Sequence, residues 1–550
     1  MSELTRLDAL AWGKQKDALG LSRASVPYFN ATGAGAANGT TIVSSELTGV
    51  FDADYKAVGL LVEVIYAANG PSGEHGGPIR ARVIDYDSAT GTLTVEALPW
   101  QTSEDDSFAL LDPPHAWASE DTGAASTTVS DADRAEDDDY WNGSAEQGGP
   151  YTHIVNSALI GATVQSLVTD FGSGDFTVAD MGANTTAADL IEFLQWPEVM
   201  GGLLKLNIPK ADREGMVGSF GKLRGVAAPR TVNGNLECYV RGPGRSRVGD
   251  PAELDTPLGA ICEVTAAPSD ATVDAGAAVN SIPTSAGSPA IGEMYITEFG
   301  DVFMCENVAG GTITPSPNLR TVPPQGSTLY GLRLYTPATA LQYAMFIRQW
   351  YGLGLVEDLW GLVPQPSFSF ERGAIGKCTL AFVGADGYRR HLTHGNANYS
   401  RSIRAKLPTV TPRHIGAVRA NVDAVELELR TASLDMGIET ALRENLNAPN
   451  WTDGLDLLGD GPNGQCQIWL DADGKTLLRK YREGRACRFL LQCGTVPGDP
   501  GVVAFWSHEA ELRSDDINDD SGRRTVPAQW RTTEDPTRSS SLPRWALAIG

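Results

Sequence analysis

Short runs in which apolar and polar residues alternate recur along the chain, punctuated by glycine and proline. Leu236, Cys238 and Val240 alternate with Asn235, Glu237 and Tyr239, and Cys378, Leu380 and Phe382 alternate with Lys377, Thr379 and Ala381. Cys487, Phe489, Leu491 and Cys493 fall on one side of a third run. A period of two puts one set of side chains on a buried sheet face. Residues 79–95 alternate around a turn at 86–91 and predict a hairpin, and Asp471-Ala472-Asp473-Gly474 predicts a second between 467–470 and 475–481. Helical spacing occurs twice. Thr186 and Asp189 sit as a capping box before Leu190, Ile191 and Leu194, which predicts a helix over 187–196 stopped by Pro197. Thr336-Pro337 followed by Leu341, Ala344, Met345 and Trp350 predicts another, stopped at Gly352. Helix, Gly/Leu-rich link and Cys-bearing strand thus recur about 140 residues apart, as in a duplicated unit. The expected fold is mainly β: tandem β-sandwich units, each with a flanking helix, and an inserted small β domain.

The expected organisation has five parts. Residues 1–44 form an N-terminal arm that ends in a Gly/Ala/Asn stretch at 32–41. Residues 45–165 form an inserted β-rich domain. Its 104–139 segment, with twelve Asp or Glu against one Arg, reads as an exposed acidic loop. Residues 166–330 and 331–514 are the two repeated units, and 515–550, polar and rich in Arg and Pro, is a C-terminal arm.

Charge narrows the function classes. The chain has 550 residues and a formal net charge of −25, a surface that repels nucleic acid and acidic membranes rather than gripping them. The opening residues carry no basic-then-apolar leader, and the most apolar run, 58–68, is too short to span a bilayer, so no membrane anchoring is expected. The seven cysteines are widely spaced. They read as buried, reduced thiols of a protein made in a reducing cytoplasm rather than as a disulfide framework.

Motifs that carry chemistry are fragmentary. The stretch 32–39 has Asn38 where a dinucleotide fingerprint needs its third glycine. Gly373 to Cys378 has the wrong spacing for a phosphate loop and a thiol in place of its hydroxyl. Asp471 to Gly474 lacks the distal glutamate of a calcium loop. His391 and His394 have no cysteine or histidine partners at metal-site spacing, and His508-Glu509 lacks a second histidine. No catalytic residue, cofactor or metal is therefore expected.

Four stretches are similar to the tail tube proteins (major tail proteins) of long-tailed, siphophage-like bacteriophages. They are Leu10-Ala11-Trp12-Gly13-Lys14 through Leu19-Gly20; Asp212-Arg213-Glu214-Gly215 through Leu236-Glu237-Cys238-Tyr239-Val240 and Pro257-Leu258-Gly259-Ala260; Pro366-Ser367-Phe368-Ser369-Phe370 through Phe382; and 488–494 with Ala510-Glu511-Leu512. Residues 45–165 do not match. The resemblance implies a structural virion protein, assembled in the host cytoplasm, whose rings stack into a tube. Hairpins would close an inner β-barrel, and DNA would transit the lumen without specific binding. Two tube-like units per chain imply a trimer with a pseudo-sixfold barrel. The implied partners are further copies of the chain and tape-measure, tail-terminator and tail-tip proteins. The negative charge is expected to line the lumen and repel phosphates.

Within 388–421 there is no Asp or Glu, whereas Arg389, Arg390, Arg401, Arg404, Lys406 and Arg413 are present, with Pro408 and Pro412. This segment is expected to be a long basic loop, read as a solvated loop, as a contact with DNA in the lumen, or as the candidate inter-ring contact that reaches an acidic surface of the adjacent ring, with arginine forks gripping carboxylates. Two other function classes fit the same composition: a capsid decoration or tail-tip protein that binds a receptor or glycan, and a β-rich hydrolase.

Overall fold

The computed structural model describes residues 7–14, 22–51, 57–67, 79–96, 98–112, 116–118, 128–130, 152–157, 162–172, 175–178, 190–194, 197, 199–207, 210–213, 223–227, 230–240, 242, 252–351, 355–371, 376–391, 418–422, 425–444, 452–459, 461–469, 487–494, 497, 502–513, 517–520, 523–534 and 540–549. The chain is mainly β, with several sheets and a closed six-stranded barrel.

The period-two runs build a sandwich. Its first sheet runs, from its edge, through Val199–Asn207, Thr231–Tyr239, Lys377–Gly384, Leu355–Glu371, Val425–Asp435, Asn463–Trp469 and Arg523–Thr532, every neighbour antiparallel. The second, continuous with the first where Val418–Val422 pairs Val425–Asp435 and where Val503–Arg513 pairs Arg523–Thr532, runs through Val418–Val422, Cys487–Cys493, Val503–Arg513, Trp545–Ile549, Leu334–Pro337 and Cys262–Thr265. The apolar faces of both sheets form one core. Rings from opposite sheets meet there: Trp530 lies 4.7 Å from Phe489 and 5.1 Å from Phe505 between centroids. Such pairs add about 0.5–1.5 kcal/mol each beyond simple burial.

The barrel packs on the outer side of the second sheet. Its strands are Ala271–Val273, Ile282–Ala286, Thr312–Ser316, Val302–Ala309, Met294–Thr297 and Thr328–Gly331. Met294 and Met304 from the barrel meet Leu490, Trp506, Ala546 and Ala548 from the sheet. A separate six-stranded sheet spans Ser22–Asn30 to Ser107–Asp112, and another spans Ala116–Ala118 to Leu190–Leu194.

Several expectations need correction. The helix expected over 187–196 is instead the strand Leu190–Leu194, held between Thr152–Ser157 and Ala116–Ala118. The second expected helix is the strand Met345–Tyr351, flanked by Leu7–Lys14 and Leu355–Glu371. All seven of its residues are buried, so both faces are covered and no alternation survives to mark it. Among the described residues the one α-helix is Asp255–Ile261, buried along its whole length, with Asp255 holding Arg333 Nε at 2.6 Å. The two Cys-bearing strands read as equivalents of separate units are neighbours in one sheet, with Cys238 opposite Cys378. The stretch read as an N-terminal arm contributes strands Leu7–Lys14, Ser22–Asn30 and Thr41–Val43 to sheets. Within the acidic segment, Ser107–Asp112 is a strand between Ser22–Asn30 and Leu61–Tyr66, and Asp106 is buried, accepting from Ser103 N at 3.0 Å. The hairpin over 79–95 is present as Arg80–Asp87 and Thr92–Val95, and Asp87 accepts from Ala89 N and Thr90 Oγ1 in its turn. The turn expected at 471–474 lies outside the described residues.

Candidate functional site

Two polar regions stand out: the uncovered face of the first sheet and a buried ionic junction.

The uncovered face follows from alternation. Wherever one residue points into the core, its neighbours point out, and directly paired residues on antiparallel strands share a face. One row across the sheet reads Glu237, Thr379, Ser367, Asp435, Asn463 and Arg531. The next reads Lys377, Ser369, Ser433, Gln465 and Gln529. Hydroxyls and amides predominate. Among the described side chains, charged residues pointing outward include Lys205, Lys377 and Arg531 and Glu237, Glu371 and Asp435. A shallow depression of about 590 Å³ runs over Ser367, Ser369, Ser433, Asp435, Gln465 and Gln529.

Both hairpins that continue this sheet leave from the same end. Val199–Asn207 and Val425–Asp435 are four antiparallel pairings apart and so run in the same direction. The first continues into the hairpin Lys210–Arg213 with Leu223–Ala227, the second into Glu439–Glu444 with Thr452–Leu458. The edge strand Val199–Asn207 has a single strand partner among the described residues. At Leu204 the Gln349 side chain covers that edge: its Oε1 accepts from Leu204 N at 3.1 Å and its Nε2 donates to Leu204 O at 3.0 Å.

The junction joins the Ser22–Asp112 region to the sandwich. Arg80 donates to Glu63 at 2.7 Å and to Asp386 at 3.1 Å, and Arg230 contacts Asp386 at 3.0 Å. Arg348 donates to Asp358 at 2.5 Å, with Arg82 3.7 Å from the same carboxylate. Leu61, Leu111, Trp360 and Tyr388 seal the apolar side. Burial pulls the Arg80 guanidinium down, but Asp386 and Glu63 more than offset it and leave it raised. For Arg230 burial wins and the group is lowered, with Asp386 opposing and Arg80 reinforcing the shift. The sequence gives no local sign of this junction, because Arg80 and Asp386 stand 306 residues apart.

Of the six residues expected to form a basic contact loop, Arg389 and Arg390 lie on the strand Asp386–His391. Arg389 is exposed, and its Nε and Nη2 donate to Glu357 Oε1 at 3.2 and 2.7 Å. Arg401, Arg404, Lys406 and Arg413 lie outside the described residues. All seven thiols are free and buried. Among the described residues no three His, Cys, Asp or Glu side chains gather as a metal site, and no helix is long and apolar enough to cross a membrane. No protein-family model and no curated protein matches this chain.

Proposed function

We propose that the chain is a structural protein of a virion, a tail tube subunit and not an enzyme, that forms closed rings stacked into a conduit for DNA. The observation that carries this reading is the seven-strand sheet with a polar face, broken only by a shallow depression among the described residues, and an apolar reverse. It is a wall rather than a cleft. The edge strand supports ring closure away from Leu204, whose N–H and C=O already bond Gln349, since a sheet edge is a template for a strand of another copy and closure removes the hazard of exposed edges. The two hairpins supply projections from one end of the sheet, as stacking requires. The same device occurring twice in one chain supports three copies per ring, which gives a trimer with a pseudo-sixfold barrel. On this reading the protein resides in the virion tail after assembly in the host cytoplasm, needs no cofactor, and meets tape-measure, tail-terminator and tail-tip proteins at the tube's axis and ends.

One observation favours a second reading, a surface protein that binds a receptor glycan. Tyr28 and Tyr66, each 53% exposed, lie on one face of the N-terminal sheet with Ala109 and Ser107 between them. Electron microscopy of the concentrated full-length chain separates the two. Long hollow tubes with three chains per ring are expected. Discrete particles that bind a polysaccharide would overturn the tube, and six chains per ring would overturn the trimer.

A further inference from the structure

We propose that Tyr28, Ile65 and Tyr66 form an apolar ledge on which a second copy of the chain docks. This rests on the tube reading and names a surface through which its copies meet. The ledge is part of a longer sheet face. Tyr28 stands in one row with Ala109, Glu63 and Arg80, and the next row holds Asn30, Ser107 and Tyr66. A bulge between Val64 and Tyr66 sets Ile65, 48% exposed, beside Tyr66 and opposite Ser107. On the other side of the Tyr28 row, Leu61 and Leu111 are covered by Trp360 and Tyr388 of the sandwich. One face is thus sealed at one end by an interface within the chain and bare at the other.

The chemistry of the ledge selects protein over sugar. Ser107 Oγ donates to Asn30 Oδ1 at 2.7 Å, and Asn30 donates through its backbone N and Nδ2 to Glu46 at 3.1 and 3.3 Å. The polar groups nearest Tyr66 are therefore already engaged, whereas a sugar site needs polar groups that converge on the ligand. Bare apolar side chains with a polar rim are the mark of a protein contact. With about 100 Å² bare on each side chain the ledge presents roughly 300 Å². That suits the apolar centre of an interface of about 800 Å² per partner. The position selects another copy. Glu63, in the Tyr28 row, lies 3.8 Å from Arg230, just after the hairpin of Lys210–Arg213 with Leu223–Ala227. The ledge therefore lies at the end of the sheet from which both hairpins leave, where a stacked copy arrives. Two copies of net charge −25 repel, so the contact is held by burial and strengthens as salt screens the repulsion.

The test uses the full chain carrying Ile65→Cys. The seven native thiols are buried, so the new one is the readily labelled site. Maleimide labelling should be fast in dilute protein and about tenfold slower or more in assembled protein at high salt, with assembly scored by sedimentation and electron microscopy. In a second arm, Ile65→Lys with Tyr66→Lys should raise the concentration needed for assembly by roughly tenfold or more, since charge enters the apolar centre. The two lysines also reduce the net negative charge, so a contact governed by charge alone would assemble more readily. Tyr66→Phe, which keeps the apolar surface, should assemble as the parent does. If circular dichroism shows that the double variant does not fold, Tyr66→Ser is scored in its place. Tubes in which the thiol at position 65 labels within about twofold of the dilute rate overturn the ledge and leave the tube reading standing. A discrete dimer with that thiol protected supports the ledge and overturns the tube. Assembly that weakens as salt rises, or a polysaccharide that binds the parent and not the lysine variant, overturns the contact between copies. A chain that stays monomeric at every concentration overturns both.

Discussion

The ionic junction and the uncovered sheet face invert the usual placement of charge. Six arginine and acidic side chains, Arg80, Arg82, Arg230, Arg348, Asp358 and Asp386, are buried where the Ser22–Asp112 region meets the sandwich. Among the described side chains the broad exposed face carries mostly hydroxyls and amides. Taking ions out of water costs several kcal/mol each, and attraction repays this only when every charge is matched. The junction is therefore unforgiving, and it fixes one geometry between two parts of the chain. The face has no such demand: its side chains remain in water, and each can be changed at little cost to folding. Charge here fixes the inside of the chain, and the exposed face is built mainly from hydroxyls and amides.

The sharpest way to break this contrast is Asp386→Ala. It leaves Arg80 and Arg230 buried without the carboxylate they share, with Glu63 2.7 and 3.8 Å from them. Removing one partner from a buried pair costs about 3–5 kcal/mol. Urea unfolding followed by tryptophan fluorescence should show a loss of that size. A change under about 0.5 kcal/mol, the level of an ordinary surface substitution, would show that the junction is hydrated and the contrast false.

The reverse side of the polar sheet gives a second, smaller effect through pH. Burial pushes the Cys466 thiol from an ordinary value near 9 up to about 12, and burial, partly offset by the Gly494 amide, pushes Cys493 up to about 11. Burial also raises Cys238, Cys262, Cys305 and Cys378. A raised folded value means that the native state keeps a proton which the unfolded chain loses. The stabilisation is complete below about pH 9 and is lost as pH rises, toward 11 for Cys493 and 12 for Cys466. Each such thiol removes about 1.4 kcal/mol per pH unit in that window. Cys466→Ala should reduce the slope of stability against pH by that amount between about pH 9 and 11, measured by urea titration at each pH. Equal slopes in parent and variant would place Cys466 in water.

What the sequence made legible follows the same division. Where one face is buried and the other wet, alternation survives, and the strands bearing Cys238, Cys378 and Cys487 to Cys493 were readable from it. Where both faces are covered, as in Met345–Tyr351, apolar spacing alone does not separate strand from helix, and Leu341, Ala344 and Met345 pointed to the wrong element. The helix Asp255–Ile261 contains Pro257 and Gly259 in only seven residues, so propensity argued against it. It forms because all seven residues are packed and Thr256 O accepts from Tyr343 at 2.8 Å. The polar face was half visible: Glu237 and Thr379 were within recognised strands, but which strands stand side by side is set by pairings across hundreds of residues. The junction was invisible for the same reason. Net charge alone does not say which surface carries it, because it is a sum over the chain.

Arg389 lies between the two regions and gives the smallest expected effect. The basic composition of 388–421 pointed to a contact with the adjacent ring, yet in the folded chain this guanidinium already has a partner. Its side chain is 58% exposed whereas that of Glu357 is 1% exposed, so the pair is half in water and screened. Both nitrogens reach the same oxygen, Oε1, while Oε2 accepts from Tyr351 Oη at 2.8 Å and from Gln349 Nε2 at 3.4 Å. Glu357 therefore keeps two donors when the arginine is removed. Arg389→Ala should cost at most about 1 kcal/mol, with the loss shrinking as salt rises, because exposed pairs are worth little and are screened. Tube formation should persist at a rate near that of the parent. The informative combination is the opposite one: unchanged stability together with blocked polymerisation that extra salt does not restore. That result would mean the guanidinium leaves Glu357 in the assembled tube to grip a carboxylate of the next ring. The internal pair would then be the resting state of a docking residue rather than the outermost member of the junction.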